Sequence, residues 1–321
     1  MIHPLLWPAV LGACVALPLL FVGFAALALR WHRLNRRRRM LCLAALALFE
    51  AAYWLNVYAW LIEPNLLVVR RVTVESAQWH GPPITIAALG DTHVASPHVN
   101  ARRVGDVVQR INQLRPDLVV LLGDYVGGGH SPAQHSAAGN FDIMNGLAVF
   151  GALDARLGAV AVLGNHDSYY GRAAIAEALQ NAGVAVLWNR SVVIRRPQGG
   201  EFVVAGLADS DTGDPDYAAA VDGAPTGADV IVIAHAPDPF AQTPSTIALM
   251  LAAHTHCGQV TVPFLGRIAV KSRFGQRYAC HRVDENGKTL FVTAGLGTSF
   301  LPVRFLNPPE IALITLRAKP R

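Results

Sequence analysis

The chain has 321 residues, of which 52% are hydrophobic and only 15% are charged, and this length suffices for one large α/β domain with an additional segment. Its formal net charge is +5, but six arginines lie within residues 30–39, and residues 64–321 hold 21 basic against 20 acidic side chains. A nearly neutral domain lacks the basic surface of a nucleic-acid-binding protein, so we exclude nucleic acid as a partner.

The first 62 residues are dominated by two apolar stretches. Residues 4–29 contain no charged side chain, and residues 40–62 contain only Glu50. Each stretch exceeds the roughly 20 residues with which a helix crosses a bilayer. We therefore predict two transmembrane helices, 4–29 and 40–62, joined by an arginine-rich loop, 30–39. This membrane anchor precedes a domain of residues 63–321.

The arginine-rich loop also predicts an orientation in the membrane. Basic loops stay on the cytoplasmic side, which places residues 63–321 on the outer, periplasmic or extracellular face of a bacterial-type cell membrane. The cytoplasmic face is the alternative. Other interpretations stay open for both stretches: the first as a cleaved signal peptide, and the second as a helix on the membrane surface or against the following domain.

Five hydrophobic runs in the second part of the chain end at short polar clusters. The runs are residues 84–89, 118–122, 159–163, 230–234 and 247–253, and the clusters are Asp91-Thr92-His93, Gly123-Asp124, Gly164-Asn165-His166-Asp167, His235 and His254-Thr255-His256. Short aliphatic runs bounded by polar residues are typical of buried strands. Open α/β sheets build their sites at the carboxyl ends of strands, so we expect the clusters to converge there.

Helix and strand patterns fill the segments between the clusters. A first amphipathic helix is indicated by Val104, Val107, Val108, Ile111 and Leu114, which recur at helical spacing. A second helix is predicted over residues 173–182, ending at Gly183. Short strands are predicted over residues 184–207, with a turn at Gly199-Gly200. Residues 209–225 form an acidic predicted loop that we expect to shape access to the site.

Each cluster taken alone has a simpler interpretation. Gly123-Asp124 is compatible with a turn, and Asn165-His166-Asp167 with the first turn of a helix. On a continued strand, His254 and His256 point to the same face and could form a structural pair, since strand side chains alternate. All five clusters together supply oxygen and imidazole nitrogen, the donors that suit divalent Mn, Fe or Zn.

The order D-x-H, G-D, G-N-H-D, H, H-x-H resembles the calcineurin-like metallophosphoesterases. In particular it is similar to their membrane-anchored branch, which includes UDP-2,3-diacylglucosamine pyrophosphatase-like enzymes. The tail of that branch also has counterparts in Thr255-His256-Cys257-Gly258-Gln259, residues 295–299, residues 301–305 and Pro309-Glu310. The resemblance implies a four-layer α/β/β/α sandwich. The chain departs from the family at Ala253 and Cys257, where glycine is usual, and we expect a narrower pocket or an altered loop there.

The resemblance also implies a role for each polar cluster. Asp91, His93 and His256 hold one metal, Asn165, His235 and His254 hold the other, and Asp124 bridges the two. A hydroxide shared by the metals attacks phosphorus. His166 is implied to act as the general acid, with Asp167 orienting its ring. Arg304 is a candidate contact for a substrate phosphate.

We therefore expect a membrane-anchored, metal-dependent phosphodiesterase or pyrophosphatase with two divalent ions, Mn, Fe or Zn. Anchoring favours a substrate in the bilayer, such as a lipid-linked or cell-envelope phosphodiester. A UDP-diacylglucosamine-type lipid is made in the cytoplasm, which conflicts with an outer-face site, so the expected substrate class stays broad. The alternatives are a phosphomonoesterase and an inactive membrane scaffold. The scaffold predicts missing ligands, and none is missing. No obligate protein partner is indicated.

The four cysteines carry less information. Cys14 and Cys42 lie in the apolar stretches and are interpreted as small hydrophobic residues. Cys257 directly follows His256. In an oxidising compartment it could form a disulfide with Cys280 that fixes the loop carrying His256. Two free thiols are the alternative.

Overall fold

The computed structural model describes residues 7–29, 35–129, 131–197 and 199–320, so residues 4–6 of the first predicted span and 30–34 of the arginine-rich loop lie outside the described residues. The chain divides into two compact units. We call Met1–Glu63 the N-terminal unit and Pro64–Arg321 the C-terminal unit.

The N-terminal unit contains two helices, α1 (Trp7–Leu29) and α2 (Arg36–Val57). Helix α2 begins inside the segment predicted as a loop, because the Asn35 side chain accepts the Arg38 N–H and caps it. The helix continues as a π-turn, Tyr58–Ile62, and a 3₁₀ turn, Glu63–Asn65.

Apolar side chains of these helices contact each other in one place and are exposed in many others. Phe21 stacks on Phe49 with ring centroids 4.3 Å apart. Leu48 and Trp54 of α2 are 72% and 61% exposed. Among the described residues, one helix, Arg36–Asn65, is long and apolar enough to cross a membrane.

The C-terminal unit is built from short strands. In chain order they are β1 (Val68–Ser76), β2 (Ile84–Leu89), β3 (Leu118–Leu121), β4 (Ala159–Ala161), β5 (Ala185–Val186), β6 (Arg190–Arg195), β7 (Glu201–Gly206), β8 (Asp229–Ile233), β9 (Leu249–Ala252), β10 (Thr261–Val262), β11 (Gly266–Arg267), β12 (His281–Glu285), β13 (Lys288–Val292) and β14 (Glu310–Ala318). Four helices accompany them: α3 (Ala101–Leu114), α4 (Ala137–Val149), α5 (Asn165–Asn181) and α6 (Tyr217–Ala220).

Most of the strands form two mixed six-stranded sheets. The first has the order β1-β14-β2-β3-β4-β5, and the second has the order β12-β13-β9-β8-β7-β6. Strands β2 to β5 run parallel to one another, as do β7, β8 and β9. The carboxyl ends of each parallel set therefore meet at one edge of its sheet.

The two faces of the first sheet contribute to different cores because strand side chains alternate. Ile84 and Ile86 of β2 pack against the second sheet, together with Phe202 and Leu251. Ala87, between Ile86 and the end of the strand, faces the other core, which contains residues of α3, α4 and α5. This double burial explains why the runs are apolar throughout rather than alternating with polar residues.

The outer face of the second sheet has a thinner cover. Its core joins Val232 and Met250 to Ala220 of α6, and to Phe240 and Tyr278 in irregular segments. The mixed α/β architecture agrees with the prediction, but the helical layer expected here is reduced to one four-residue helix and 3₁₀ turns.

The second predicted helix differs from the observed one at its start. Helix α5 begins at Asn165, eight residues earlier than predicted, and Gly171 with a φ of 147° interrupts its regular geometry. Its end is as predicted, since Gly183 adopts a φ of 77° and donates its N–H to the Gln180 carbonyl. The turn at Gly199-Gly200 is likewise confirmed by φ angles of 91° and 82°.

Glu310, at the start of β14, is a fully buried carboxylate. Its Oε2 lies 2.6 Å from Arg70 Nε, and its Oε1 accepts the Ala294 N–H at 3.0 Å. Burial by itself raises the pKa of Glu310, but His281 and Arg70, through charge and hydrogen bonds, lower the pKa to about 2. Glu310 is therefore ionised in the folded protein at neutral pH.

We expect Glu310→Ala to lower the free energy of unfolding by about 3 kcal/mol, because it leaves buried partners without their acceptor. The wild-type carboxylate stabilises the fold above its unfolded pKa of about 4.3, and this stabilisation is lost as the pH falls towards 2. Urea titrations at pH 7 and pH 3 measure both effects. Glu75→Ala is the matched control, because Glu75 pairs with Arg317 across the same two strands but is partly exposed. It should cost less than about 1 kcal/mol.

Candidate metal centre

Hydrogen bonds between neighbouring strand ends hold the polar clusters at one edge of the first sheet. Asp91 follows β2 and donates its N–H to the Gly123 carbonyl at 2.9 Å. His93 donates its N–H to the Asp124 carbonyl at 3.0 Å. The Asp91 and Asp124 clusters, more than thirty residues apart in sequence, are therefore tied together by their backbones.

The second sheet is joined to this edge by two further bonds. The His254 N–H lies 3.0 Å from Asp91 Oδ2 and 3.1 Å from Oδ1. The His235 ring contacts the Leu122 carbonyl through Nδ1 at 2.8 Å. Clusters from both sheets thus face one another, as the sequence predicted.

One group of donor atoms contains Asp91, His93 and His256, all of them buried. His93 Nδ1 lies 3.0 Å from the Val126 carbonyl, so this nitrogen carries the proton and donates it. Its Nε2 therefore presents a lone pair, and it lies 3.1 Å from His256 Nε2. Two imidazole nitrogens that face each other in this way suit a cation beside them, and the backbone acceptor fixes the ring as in known metal sites.

A second group contains Asp124, His235 and His254. His235 donates from Nδ1 to a carbonyl, which directs its Nε2 towards His254 Nδ1 at 2.8 Å. Asn165 belongs to the adjacent cluster, and its buried Oδ1 has no hydrogen-bond partner among the described residues. A buried oxygen without a donor is costly unless a ligand satisfies it, so the donor set fits a cation.

The Asp124 carboxylate lies between the two groups. Its Oδ2 is 3.7 Å from His93 Nε2 and 3.3 Å from His235 Nε2, while its Oδ1 accepts the His166 N–H at 2.9 Å. One oxygen thus faces a histidine of each group. A carboxylate in this position can offset the repulsion between two cations about 3.5–4 Å apart.

The electrostatics of the site favour the neutral form of three ligand imidazoles, whereas His235 differs: burial lowers its pKa, but the carboxylates of Asp124 and Asp91 outweigh this and raise it to about 10. Burial lowers the pKa of His93 to about 4 and holds the pKa of His254 and His256 well below the usual value. Burial also raises the pKa of Asp91 to about 7. Ligation requires the ionised carboxylate, so we expect metal binding to release protons at neutral pH.

Five of the seven predicted ligands adopt left-handed backbone conformations. They are Asp91, His93, Asp124, His254 and His256, with φ angles of 51°, 45°, 54°, 69° and 50°. Such conformations are unfavourable for residues with a Cβ and are concentrated at functional sites. Glycine makes room for them: a Cβ at Gly164 would lie 2.2 Å from Asp124 Oδ1, and one at Gly295 would lie 2.6 Å from Asp91 Cβ.

The alternative interpretation of His254 and His256 as a pair on one strand face is wrong. Strand β9 ends at Ala252, His254 adopts a left-handed conformation, and His256 begins a 3₁₀ turn, His256–Gly258. The two rings therefore join different donor groups instead of sharing one strand face. A hydrogen bond from the His254 N–H to Asp91 and one from the Ala253 N–H to the His235 carbonyl hold this turn, and neither is visible in the local sequence.

His166 lies beside the first group of donors, as predicted. Its ring meets the His93 ring edge to face with centroids 4.8 Å apart, and ring and carboxylate atoms of His93, Asp124 and His166 lie within 4.8 Å of one another. Its position follows from α5, which begins one residue earlier and directs the His166 N–H at Asp124 Oδ1. The side chain is close enough to act on a substrate held by the two donor groups.

Asp167 has a different set of contacts from the predicted one. Its Oδ2 accepts the N–H groups of Asp124 and Gly164 at 2.8 and 2.9 Å, and its Oδ1 accepts that of Tyr125 at 2.8 Å and that of Val126 at 3.2 Å. Because Asp167 occupies the first turn of α5, its carboxylate folds back onto free N–H groups. Asp167 thus fixes the loop that carries Asp124, which corrects the expectation that it orients the imidazole.

Arg304 is fully buried, which contradicts its expected contact with substrate. Its guanidinium donates to the carbonyls of Ala294, Gly297 and Asn307. These bonds hold the glycine-containing segment after β13 against Asp91, whose carbonyl accepts the Gly297 N–H. Arg304 is therefore a positioning residue for the segment after β13 that packs against Asp91.

Two residues at the rim were not singled out from the sequence. Asp211 Oδ2 lies 3.9 Å from His254 Nε2, and Lys271 Nζ lies 2.9 Å from the same oxygen. Asp211 belongs to the acidic loop, residues 209–225, that was expected to shape access to the site. The sequence therefore indicated this segment but not the individual residue. Lys271 lies in an irregular stretch without a motif, and no sequence signal marks it.

A cavity of about 650 Å³ opens beside His254 and His256, the donor residues that follow strand β9 of the second sheet. His254, His256 and Lys271 line it together with apolar side chains that include Val260 and Leu301. A ligand in this cavity therefore meets metal donors, one cation and an apolar wall.

Cys257 and Cys280 form a disulfide with a Cα–Cα distance of 4.6 Å. Cys257 adopts a φ of 52° at a position where the resembled family has glycine. The bond joins the residue after His256 to a segment 23 residues later. The disulfide interpretation is the one that the structure supports, and the bond restrains the turn that carries His256.

We expect Cys257→Ser to lower the free energy of unfolding by about 3 kcal/mol, because it opens a covalently closed loop. Thermal unfolding measures the loss. Cys280→Ser should cost the same, and the double variant should add nothing, since both changes remove one bond. Cys14→Ser, at a free cysteine, is the control. Non-reduced mass spectrometry that finds both thiols unmodified and free would contradict the bond.

Comparison with known proteins identifies the family. A profile of the calcineurin-like phosphoesterase family matches residues 84–258, which is more than half of the chain. The chain belongs to this family. It is therefore a metal-dependent phosphoesterase, and the buried histidine and aspartate groups are suited to the dinuclear metal centre of such enzymes.

Its relatives include proteins of bacteria and animals. The metallophosphoesterase YkuE of Bacillus subtilis is 29% identical over 81% of this chain and 89% of its own length. The phosphodiesterase YaeI of Escherichia coli is 26% identical over 88% of this chain and 99% of its own length. A transmembrane protein with metallophosphoesterase domain from Danio rerio is 27% identical over 79% of this chain and 58% of its own length. The apolar helix and the name of this last relative both suggest membrane association.

Proposed function

We propose that this protein is a membrane-anchored dinuclear phosphodiesterase or pyrophosphatase. The observation that carries the proposal is the convergence of Asp124 Oδ2 with one histidine nitrogen from each donor group, at 3.7 and 3.3 Å. Buried rings oriented by backbone carbonyls support a metal role over a structural one. The phosphodiesterase YaeI, alike over nearly the whole chain, supports the choice of reaction.

The proposed assignment of residues follows the two donor groups. Asp91, His93 and His256 would hold the first cation, Asn165, His235 and His254 would hold the second, and Asp124 would serve both. When bound, the two cations supply positive charge to the phosphoryl oxygens and acidify the attacking water. His166 donates a proton to the leaving-group oxygen, and Asp167 keeps the Asp124 loop in place.

The cavity favours a diester over a monoester. It extends from His254 and His256 along an apolar wall, which leaves room for a second substituent on phosphorus. Lys271, which also lines the cavity, is available to contact a further anionic oxygen, such as that of a pyrophosphate. A lipid-linked or cell-envelope phosphodiester has an apolar substituent for the apolar wall and an anionic oxygen for Lys271.

The membrane arrangement is proposed from the N-terminal unit. Helices α1 and α2 form a transmembrane hairpin, supported by the stacking of Phe21 on Phe49 and by the exposed apolar side chains of α2. The arginines between the spans favour a cytoplasmic loop, and hence a C-terminal unit on the outer face. The disulfide between Cys257 and Cys280 is compatible with an oxidising compartment and favours this side.

Hydrolysis of bis-p-nitrophenyl phosphate and of p-nitrophenyl phosphate tests the proposal directly. The purified full chain, stripped of metal and reloaded with Mn, Fe or Zn, should hydrolyse the diester with the higher kcat/KM. Preference for the monoester would favour the phosphomonoesterase alternative. Loss of all activity with every metal, despite two bound ions per chain, would favour the inactive scaffold.

A further inference from the structure

The C-terminal unit has an apolar surface beside its cavity that the reaction does not use. Among the described residues beyond 65, seven of the eleven exposed large apolar side chains lie within residues 264–274 and 300–306. Phe264 and Leu265, at the tip of the β10–β11 hairpin, are 107% and 81% exposed, and Phe300 is 82% exposed. Contiguous exposed apolar surface of this kind marks a site of interaction.

Hydrogen bonds join the hairpin and the neighbouring segment into one face. Gln259 Nε2 donates to the carbonyls of Leu301 and Val303 at 3.1 and 3.2 Å. The backbones of Thr261 and Phe305 are also bonded, at 2.9 Å. We call residues 259–274 and 299–305 the apolar rim, because Ile268, Phe300 and Leu301 of these segments line the cavity.

The charges around the apolar rim suit an anionic surface. Residues 259–280 contain Arg267, Lys271, Arg273 and Arg277 and no acidic residue. Asp211, Asp238 and Glu285, from other segments, pair with Lys271, Arg273 and Arg277, which holds these basic side chains beside the rim, and Arg267 has no ion pair among the described residues. Basic side chains that surround apolar ones are typical of proteins that bind anionic membrane surfaces.

The C-terminal unit begins beside the segment that follows the rim, because Val68 of β1 donates its N–H to the Pro309 carbonyl at 2.9 Å. The candidate span ends at Asn65, and only Leu66 and Leu67 precede β1. With the span in a bilayer, as proposed, the partner whose chemistry matches an apolar rim with basic side chains is the lipid surface.

We propose that the apolar rim inserts into an anionic bilayer, with Phe264 and Leu265 entering the acyl region. Insertion brings the apolar side chains that line the cavity, among them Ile268, Phe300 and Leu301, to the membrane, so that a phosphodiester carrying an acyl or alkyl chain reaches the metal centre without leaving the lipid phase. The proposal rests on the proposed membrane attachment, but the insertion does not depend on hydrolysis.

Spin labelling of the full chain tests insertion without any activity measurement. In a Cys14→Ala, Cys42→Ala background, labels are placed through Phe264→Cys or, as a control, through Phe141→Cys, whose phenyl ring is 70% exposed on α4. In phosphatidylcholine vesicles with phosphatidylglycerol, the ratio of oxygen to nickel-chelate accessibility should be at least about fivefold higher at position 264. Equal ratios at the two positions would overturn the proposal. Dipolar broadening between labels at 264 would show that a second copy covers the rim, and would also overturn it.

A chromogenic diester with a long alkyl chain tests the consequence for catalysis. Phe264→Asp with Leu265→Asp should lower the rate on vesicle-embedded p-nitrophenyl hexadecyl phosphate about tenfold, and change the rate on soluble bis-p-nitrophenyl phosphate less than about twofold. Phe141→Asp should change neither rate. Equal loss on both substrates would contradict the rim's role in delivery. Inactivity of the wild-type chain on both would count against the proposed function, while leaving the labelling result to decide insertion.

Discussion

Asp124→Asn should abolish turnover and dinuclear metal binding together. The amide keeps an oxygen for the His166 N–H, 2.9 Å from Asp124 Oδ1, but it removes the negative charge that faces both donor groups. Loss of several kcal/mol of stabilisation of two neighbouring cations corresponds to a fall in kcat/KM of about a thousandfold or more. Metal analysis of the purified variant should find fewer than two ions per chain, and added Mn should no longer raise its melting temperature.

A variant at a buried carboxylate elsewhere in the C-terminal unit is the control. It shows whether the effect of Asp124→Asn comes from the metal site or from the loss of any buried charge. Asp229 starts strand β8, whose other end leads to His235, and it accepts the N–H groups of His80 and Gly81 at 2.9 Å. Asp229→Asn should retain metal content and rate. If Asp124→Asn kept two ions per chain and wild-type turnover, the bridging assignment would be wrong.

His166→Ala should have the opposite pattern, with metals retained and the rate lost. The backbone N–H of residue 166 is bonded to Asp124, so the substitution leaves this bond to the Asp124 loop in place. Loss of a general acid typically costs between about a hundredfold and ten-thousandfold in rate. The loss should be larger for a diester with an alkyl leaving group than for a p-nitrophenyl ester, because p-nitrophenolate needs little protonation.

This dependence on the leaving group distinguishes proton donation from a purely structural contribution. A ring that only packs against His93 would affect both esters to the same extent. His135→Ala is a suitable control, because His135 contacts Tyr170 and the Gly129 carbonyl in the loop after Asp124 and belongs to neither donor group. Normal activity of His166→Ala on the alkyl diester would rule out the assigned role.

The prediction of strands succeeded where the local pattern carried enough information. Strand β2 has the predicted bounds, β3 ends one residue earlier than predicted, and β8 begins and ends one residue earlier. These runs are apolar on both faces because each is covered on both sides, and a polar residue follows as soon as the cover ends. The order of apolar and polar residues therefore indicates directly which segments are buried strands.

The prediction of side-chain contacts failed where the partners are remote. Asp167 was assigned to the neighbouring imidazole, but its oxygens accept N–H groups of residues 124–126, about forty positions earlier. Arg304 was a candidate contact for a substrate phosphate, whereas its buried guanidinium donates to backbone carbonyls. The turn that separates His254 from His256 likewise depends on a bond to Asp91.

The residue order by itself determined the α/β class, the apolar N-terminal segment and the set of donor side chains, because strand periodicity and the chemistry of each residue type are local properties. Only the folded chain decided which carboxylate supports a loop, how a turn separates His254 from His256, and where the cavity meets an apolar surface. Those outcomes depend on how two sheets are aligned at one edge. That alignment is fixed by hydrogen bonds and packing between residues far apart in the chain, and it has no counterpart in any short stretch of sequence.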